Sequence, residues 1–159
     1  MTTAATALPL LALRITAGPV ELRGITDDLL GPLADLATDI HDPDFMPFGF
    51  PWTLTPAPDM PRSVAQYHWG KRASFSPAQW TADFAVFYES ELVGCQGFST
   101  KDYLIVRGGE TGSWLGRGFQ DDALHDRALA KPVDPVHAVL GVAGLPADAE
   151  RRRVVREGG

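Results

Sequence analysis

One glycine-bearing apolar stretch guides the interpretation of the whole chain, and it reads Glu110-Thr111-Gly112-Ser113-Trp114-Leu115-Gly116-Arg117-Gly118-Phe119-Gln120. Its Thr, Trp, Leu and Phe residues favour a strand. Glycines inside a strand often mark a place where another backbone or a ligand comes close. The stretch runs directly into Asp121-Asp122, which is typical of a strand-to-helix junction, where free helix amides face an anionic group. It therefore predicts a strand beside a ligand site.

Three segments resemble GCN5-related N-acetyltransferases (the GNAT family), and within that family the ribosomal-protein N-terminal acetyltransferase group. They are Thr111-Gly112-Ser113-Trp114-Leu115-Gly116-Arg117 followed by Gln120, His41-Asp42-Pro43-Asp44-Phe45-Met46-Pro47-Phe48, and Gln66-Tyr67-His68-Trp69. We expect a single domain over residues 1–159, family-like over 10–120 and with a divergent tail over 121–159. The resemblance implies an α/β (α+β) fold of the acyl-CoA N-acyltransferase type, a mixed, mostly antiparallel sheet flanked by helices.

The loop after this strand departs from the family pattern. In the family a Gln/Arg-x-x-Gly-x-Gly/Ala loop holds the pyrophosphate of coenzyme A with its backbone amides. Here Gln120 is followed by Asp121, Asp122, Ala123, Leu124 and His125. Ala123 and His125 carry a Cβ where the backbone should approach closely, and two adjacent carboxylates repel a diphosphate. The sequence therefore predicts weakened coenzyme A binding at this loop.

Composition excludes several classes of function. The chain has 159 residues, enough for one domain with a real core. Its net charge of -6 argues against nucleic acid or an anionic membrane as a partner, and the run Arg151-Arg152-Arg153 is interpreted as a solvated helix end. The apolar residues 4–13 are too short to span a bilayer and lack the basic start of a signal peptide. A single cysteine, Cys95, fits a reducing compartment, so a cytoplasmic protein is expected.

Local patterns predict an order of elements. Residues 1–9 are expected to be loose, and residues 11–16 and 20–23 to be strands. Leu29, Leu33, Leu36 and Ile40 predict a helical stripe, with a late start or a kink at Pro32. A second helix has Pro61 in its first turn. Alternation over 83–89 and 92–99 predicts a hairpin with its turn at Ser90-Glu91, and residues 101–107 a strand or connecting loop. The tail predicts a helix at 121–131, a strand at 133–142 and a helix at 146–157.

Residues 41–61 form a loop that is rich in aromatic residues and stiffened by proline. It contains six prolines, at positions 43, 47, 51, 56, 58 and 61. So long an irregular segment is usually functional or mobile. The resemblance implies that Phe48 and Trp52 bind the acceptor substrate. The alternative is that the aromatic side chains simply cover the end of the sheet.

The resemblance also implies a coenzyme site whose co-substrate is acetyl-CoA. In the family, the backbone of the glycine-bearing strand pairs with the amides of the pantetheine arm, which places Trp114, Leu115 and Gly116 nearest the coenzyme. Gln120 matches the first position of the phosphate loop and is predicted to contact the ligand. The side chains of Trp114 and Leu115 also suit plain core packing.

Acetyl transfer needs a group that accepts a proton from the amine. Glu110 begins the strand near the expected acceptor end and is the candidate catalytic base, ahead of Glu89 and Asp102. The alternative for each of the three is a solvated carboxylate at a strand end. Two histidines, His41 and His68, can take a proton near neutral pH but equally suit hydrogen-bonded structural roles. Cys95 is interpreted as a small buried residue, and the histidines and cysteine show no metal-ligand spacing.

Two hypotheses for function follow from these patterns. The first is an N-acetyltransferase that moves an acetyl group from acetyl-CoA to a primary amine of a small molecule or a peptide N-terminus. The second is a degenerate protein that keeps the GNAT fold without binding coenzyme A and acts as a non-catalytic interaction module. The altered residues 121–125 separate the two hypotheses.

Overall fold

A computed structural model describes residues 4–120. Within this range five antiparallel strands form one sheet, in the order in which they occur along the chain. The strands are β1 (Arg14–Ala17), β2 (Val20–Gly24), β3 (Gln79–Tyr88), β4 (Glu91–Lys101) and β5 (Glu110–Leu115). This sheet, with its helices, confirms the predicted mixed α/β class. The elements predicted at 121–131, 133–142 and 146–157, and the loop at 121–125, lie outside the described residues.

Two long helices and two short ones accompany the sheet. They are α1 (Ala4–Ala7), α2 (Asp27–Ala37), α3 (Met60–Ala73) and α4 (Tyr103–Val106), with 3-10 turns at Pro9–Ala12, Trp52–Leu54, Ala57–Asp59 and Arg117–Phe119. Pro61 lies in the first turn of α3, as predicted. The Leu11 and Ala12 part of the first predicted strand is wrong, because these residues belong to a 3-10 turn whose backbone lies against Gly24 at the end of β2.

Two further sequence predictions about local structure are corrected. Residues 4–7 are helical and not loose. Residues 103–106 form a helical turn, where a strand or loop was expected, because Asp102 and Arg107 on either side adopt left-handed backbone angles (φ 51° and 52°) that reverse the chain.

Helix α2 begins at Asp27, so it does not start late at Pro32. Gly31 and Pro32 lie on its exposed side, and the carbonyl that loses a partner to proline can therefore be hydrated. Its fully buried residues are Leu30, Leu33, Ala34 and Ala37. The buried face is thus centred one residue away from the predicted stripe, because α2 packs against both α3 and β4.

The core divides between the two faces of the sheet. The face toward α2 and α3 holds Leu33, Met60, Ala85 and Phe87 among other buried residues, and Cys95 of β4. The opposite face holds Val20, Leu22, Val86, Val93 and Leu115. Strand β5 contributes to both faces, since Trp114 packs against the first cluster and Leu115 belongs to the second. The alternation of side chains along a strand accounts for most of this division. Val93 and Cys95 lie on opposite faces although they are two residues apart, because the β3–β4 register shifts after Val86.

The hairpin between β3 and β4 is confirmed, and its turn lies one residue earlier than predicted. Tyr88 pairs with Glu91, so Glu89 and Ser90 form the two-residue turn. Both residues have positive φ angles, 48° and 73°. A two-residue turn of this kind matches the twist of the strands, but a left-handed backbone carries a steric cost for residues with a Cβ.

We expect Ser90→Gly to stabilise the protein by about 0.5–1 kcal/mol, because glycine adopts positive φ without that cost. Urea titration followed by tryptophan fluorescence measures the change. Ser63→Gly in the interior of α3 is the matched control and should destabilise the fold by a similar amount. A loss of stability in Ser90→Gly would contradict the assigned turn geometry.

Strand β5 approaches β4 most closely at Gly94. A Cβ at Gly94 would meet the main-chain oxygen of Trp114 and lie 3.0 Å from the Cα of Leu115. A side chain at Gly112 of β5 would meet nothing within 4 Å. Packing therefore requires glycine at position 94 and does not require it at position 112.

Gly94→Ala should lower the free energy of unfolding by about 1–3 kcal/mol, the usual cost of forcing an extra carbon into a packed region. Gly112→Ala serves as the control and should leave stability nearly unchanged. Thermal denaturation of both variants compares the two positions directly, and equal melting temperatures would refute the close approach of the strands.

Candidate active site

Strand β5 is the edge strand of the sheet in the described part of the chain. The amide of Gly116 donates a hydrogen bond to the carbonyl of Val93 at 3.0 Å. In an antiparallel pair, residues that exchange such bonds alternate with residues whose main-chain groups point away. In the register that pairs Cys95 with Trp114, Trp114 and Gly112 therefore also face β4, whereas the groups of Thr111, Ser113 and Leu115 face outward.

The carbonyl of Leu115 is already occupied, because the side-chain amide of Gln120 donates to it at 2.6 Å. Residues 110–113 are exposed, and no strand within residues 4–120 pairs with the outward main-chain groups of Thr111 and Ser113. We call these groups the free strand edge. Such an edge can pair with any ligand or chain that presents amide groups in the right spacing.

A row of aromatic rings lies against the inner face of β5. The ring centroids of Trp52 and Trp114 are 5.8 Å apart, those of Phe48 and Trp52 are 5.3 Å apart, and those of His41 and Phe48 are 5.8 Å apart. These are ordinary distances for attractive aromatic contacts. The fold thus brings the predicted substrate residues Phe48 and Trp52 against the predicted coenzyme residue Trp114. We call these four residues the aromatic row.

The end of β5 is bonded to the end of α2 at several points. The amide of Arg117 donates to the carbonyl of Asp39 at 2.9 Å. Its guanidinium contacts the carboxylates of Asp39 and Asp42 at 3.2 and 2.8 Å, and the hydrogen bond to Asp42 raises the pKa of Arg117. The side chain of Gln120 bridges the carbonyls of Leu115 and Ile40, the latter at 2.7 Å. The side chain of Gln120 was predicted to contact the ligand. In the structure it bonds to the main chain of the protein and fixes the end of β5 against the residues after α2.

Gly116 lies where β5 turns toward this junction. A Cβ at this position would collide with the side chain of Leu36 on α2 and approach Phe119 to 3.5 Å. The absence of a side chain therefore lets helix α2 pack directly under the end of the strand.

Glu110, the predicted base, lies apart from the aromatic row. It is exposed and pairs with Ser99 at the other end of β5. Trp114 lies four positions further along the strand than Glu110, a distance of roughly 13 Å. Glu89 and Asp102 lie in tight turns with positive φ.

His68 and Cys95 are buried on the inner face of the sheet. Nδ1 of His68 lies 3.4 Å from the carboxylate of Asp83. His68 and Asp83 line a separate cavity of about 30 Å³ between α3, β3 and the N-terminal segment. The cavity has room for one or two water molecules. The sequence analysis interpreted Cys95 as a small buried residue and gave a structural role as one interpretation of His68. The burial of both side chains agrees with these interpretations.

Thr53 was not selected by sequence reasoning. Its hydroxyl lies 2.6 Å from Nε2 of His41, twelve residues earlier in the chain. No motif links the two residues, and only the folding of residues 41–53 into a closed loop brings them together.

Among the described residues, no group of His, Cys, Asp or Glu side chains is arranged to hold a metal ion. None of the helices within residues 4–120 is long and apolar enough to cross a membrane.

The chain is similar to solved acetyltransferases, although no protein-family model matches its sequence. One is the Salmonella typhimurium acetyltransferase that modifies the N-terminal serine of ribosomal protein L7/L12, with 14% identity, a TM-score of 0.59 and 84% of this chain and 70% of that chain covered. A putative ribosomal-protein-serine acetyltransferase from Vibrio cholerae has 18% identity, a TM-score of 0.55 and coverage of 82% and 70%. The microcin C7 self-immunity acetyltransferase MccE, solved with acetyl-CoA and AMP, has 14% identity, a TM-score of 0.52 and coverage of 81% and 66%.

These similarities define the class of fold. The described residues have the fold of the GCN5-related N-acetyltransferases, as the sequence resemblance predicted. The chain spans 63–70% of the length of the ribosomal-protein acetyltransferases among the similar structures.

The reactivity of Cys95 tests the burial of this sheet. Burial raises the pKa of its thiol, and the negative charge of Asp83 raises it further. Because the thiolate is the reactive form, labelling of the folded protein by DTNB at pH 8 should be slower than labelling in urea, on the order of 100-fold. Rapid stoichiometric labelling of the folded chain would show that the thiol is accessible.

Proposed function

We propose that this protein is an N-acetyltransferase that moves an acetyl group from acetyl-CoA to a primary amine of a small molecule or a peptide N-terminus. The observation that carries the proposal is the free edge of β5 beside the aromatic row, in a chain with the fold of acetyltransferases. An unpaired strand edge supplies main-chain partners for an amide-bearing ligand, and the aromatic row supplies an apolar surface next to it.

The coenzyme is proposed to lie along β5, with the amides of its pantetheine arm bonded to the outward groups of Thr111 and Ser113. Of the three residues that the family resemblance implies, Leu115 has main-chain groups that face this edge, whereas those of Trp114 and Gly116 face β4. Trp114 and Gly116 are therefore proposed to border the coenzyme without bonding to it through the backbone. The unpaired groups fit this role, because two amides in an extended arm match donors and acceptors spaced two residues apart on a strand. Gln120 is proposed to lie at the coenzyme end of the strand. There its side-chain amide joins the main chain at Leu115 to the main chain at Ile40.

The acceptor amine is proposed to enter along Phe48 and Trp52. These side chains are partly buried and leave aromatic surface beside Trp114. The Salmonella protein modifies an N-terminal serine, and a peptide with that terminus is a reasonable first acceptor to test. The chemistry requires little covalent help, because the thioester of acetyl-CoA is already activated. The protein must hold the two reactants together and accept the proton of the amine.

Calorimetric titration with acetyl-CoA tests the proposal, and Ser113→Pro tests its geometry. Proline removes the outward amide of Ser113 without removing a bond to β4, which an edge strand tolerates. We expect at least tenfold weaker binding, because one hydrogen bond is lost and the ring fills the ligand's place.

Thr16→Pro is the matched control. In the hairpin of β1 and β2, the amide of Gly24 donates to the carbonyl of Leu13, and the same alternation turns the amide of Thr16 outward on the opposite edge of the sheet. This variant should bind acetyl-CoA as the wild type does. A wild-type chain that binds no acetyl-CoA would contradict the proposal and leave the non-catalytic alternative.

A further inference from the structure

His41 lies at the junction between α2 and the end of β5. Its neighbours on both sides are bonded to residues 115–120: the carbonyl of Ile40 accepts from Gln120, and the carboxylate of Asp42 accepts from Arg117. The imidazole is therefore held next to the segment that carries the proposed coenzyme site. Its ring is the first of the aromatic row along the chain and contacts that of Phe48.

The hydrogen bonds of the imidazole fix which nitrogen carries the proton in its neutral form. Nδ1 of His41 lies 2.7 Å from the carbonyl oxygen of Asp42. A carbonyl oxygen can only accept, so Nδ1 carries the hydrogen. Nε2 therefore has a free lone pair, which accepts a hydrogen bond from the hydroxyl of Thr53 at 2.6 Å. The same hydroxyl also faces Sδ of Met46 at 3.9 Å, and its single hydrogen goes to Nε2 because that contact is much shorter and the nitrogen is the stronger acceptor. This is the arrangement of a base whose orientation is set by a second partner.

Thr53 connects this base to the proposed reaction site. It lies in the 3-10 turn Trp52–Leu54, directly after the residue whose ring packs on Trp114 of β5. Trp114 is flanked by Ser113, whose main-chain groups form the free edge. Glu110 lies at the distant end of the same strand, so the geometry favours the histidine over the carboxylate as proton acceptor.

We propose that Thr53 and His41 form a proton relay that takes the proton of the acceptor amine during acetyl transfer. The inference rests on the proposed function. The amine nitrogen forms a bond to the acetyl carbonyl carbon, and the bond from that carbon to sulfur breaks, releasing the coenzyme A thiolate. The proton leaving nitrogen passes to the oxygen of Thr53 while the hydroxyl proton of Thr53 passes to Nε2 of His41. The imidazolium then returns a proton to the thiolate, so atoms and charge balance.

The charged groups around His41 are Asp39, Asp42 and Arg117, which already pair with one another. The relay requires an unprotonated Nε2, so activity should fall as the pH drops and the imidazole becomes protonated.

The experiment measures kcat/KM against pH for wild type, His41→Gln, Thr53→Val and Thr53→Ser, with acetyl-CoA and either phenylethylamine or a short peptide with N-terminal serine as acceptor. We expect His41→Gln and Thr53→Val to lose on the order of 100-fold in kcat, the scale of general-base catalysis, while calorimetry shows unchanged acetyl-CoA binding. Thr53→Ser should restore most of the activity, and His41→Gln should lose the acidic limb of the profile. Thr38→Val, a hydroxyl deletion at the end of α2, is the matched control and should behave as wild type.

Nitrogen NMR of the wild-type imidazole gives a second measurement that depends on no variant and no acceptor. We expect the neutral tautomer of His41 with the proton on Nδ1. A proton on Nε2, or an acidic limb that persists in His41→Gln, would overturn the relay while leaving the acetyltransferase proposal intact. A wild-type chain that binds acetyl-CoA and acetylates neither amine would instead overturn the proposed function, and the relay with it.

Discussion

The junction between the end of β5 and the end of α2 is the constraint on which the rest of the site depends. Arg117 and Gln120 bond to the main chain at Asp39, Ile40 and Leu115 and to two carboxylates. Individual bonds of this kind contribute little to stability, least of all where the paired groups are exposed. Their structural effect is larger, because they fix the last residues of the strand relative to the loop that follows the helix.

That loop can close over the sheet only because this junction fixes its first residues. Residues 41–54 return to β5 through the contact between Trp52 and Trp114, and the bond between His41 and Thr53 ties the two ends of the loop together. Small residues allow the approach: Gly116 leaves room for Leu36, and Gly94 lets β5 lie close to β4. The aromatic row and the free strand edge are thus two consequences of one set of close contacts.

How far the sequence predicted this site depends on the range of each interaction. The hairpin of β3 and β4, helix α3 and strand β5 follow from local patterns, because alternation and proline position act over a few residues. The turn at Glu89 and Ser90 was placed one residue late, since neither residue is a usual choice for positive φ. The helical turn at 103–106 was missed because a single aspartate at position 102 is a weak signal for a left-handed backbone and Arg107 gives none. The strand was expected to run to near Gln120, but β5 ends at Leu115 and a 3-10 turn follows, and the hydrogen bonds of Gln120 to Ile40 and Leu115 are tertiary.

The sequence by itself determined that this chain forms a mixed sheet with helices and that residues 110–115 form a strand whose glycines admit close neighbours. Those properties depend on side-chain periodicity and backbone preference, which are set by residues close together in the sequence. Only the tertiary structure decided which main-chain groups of that strand stay unpaired, and that His41 meets Thr53 beside Trp52. Strand register and loop closure join residues far apart in sequence, and no local pattern encodes their distance.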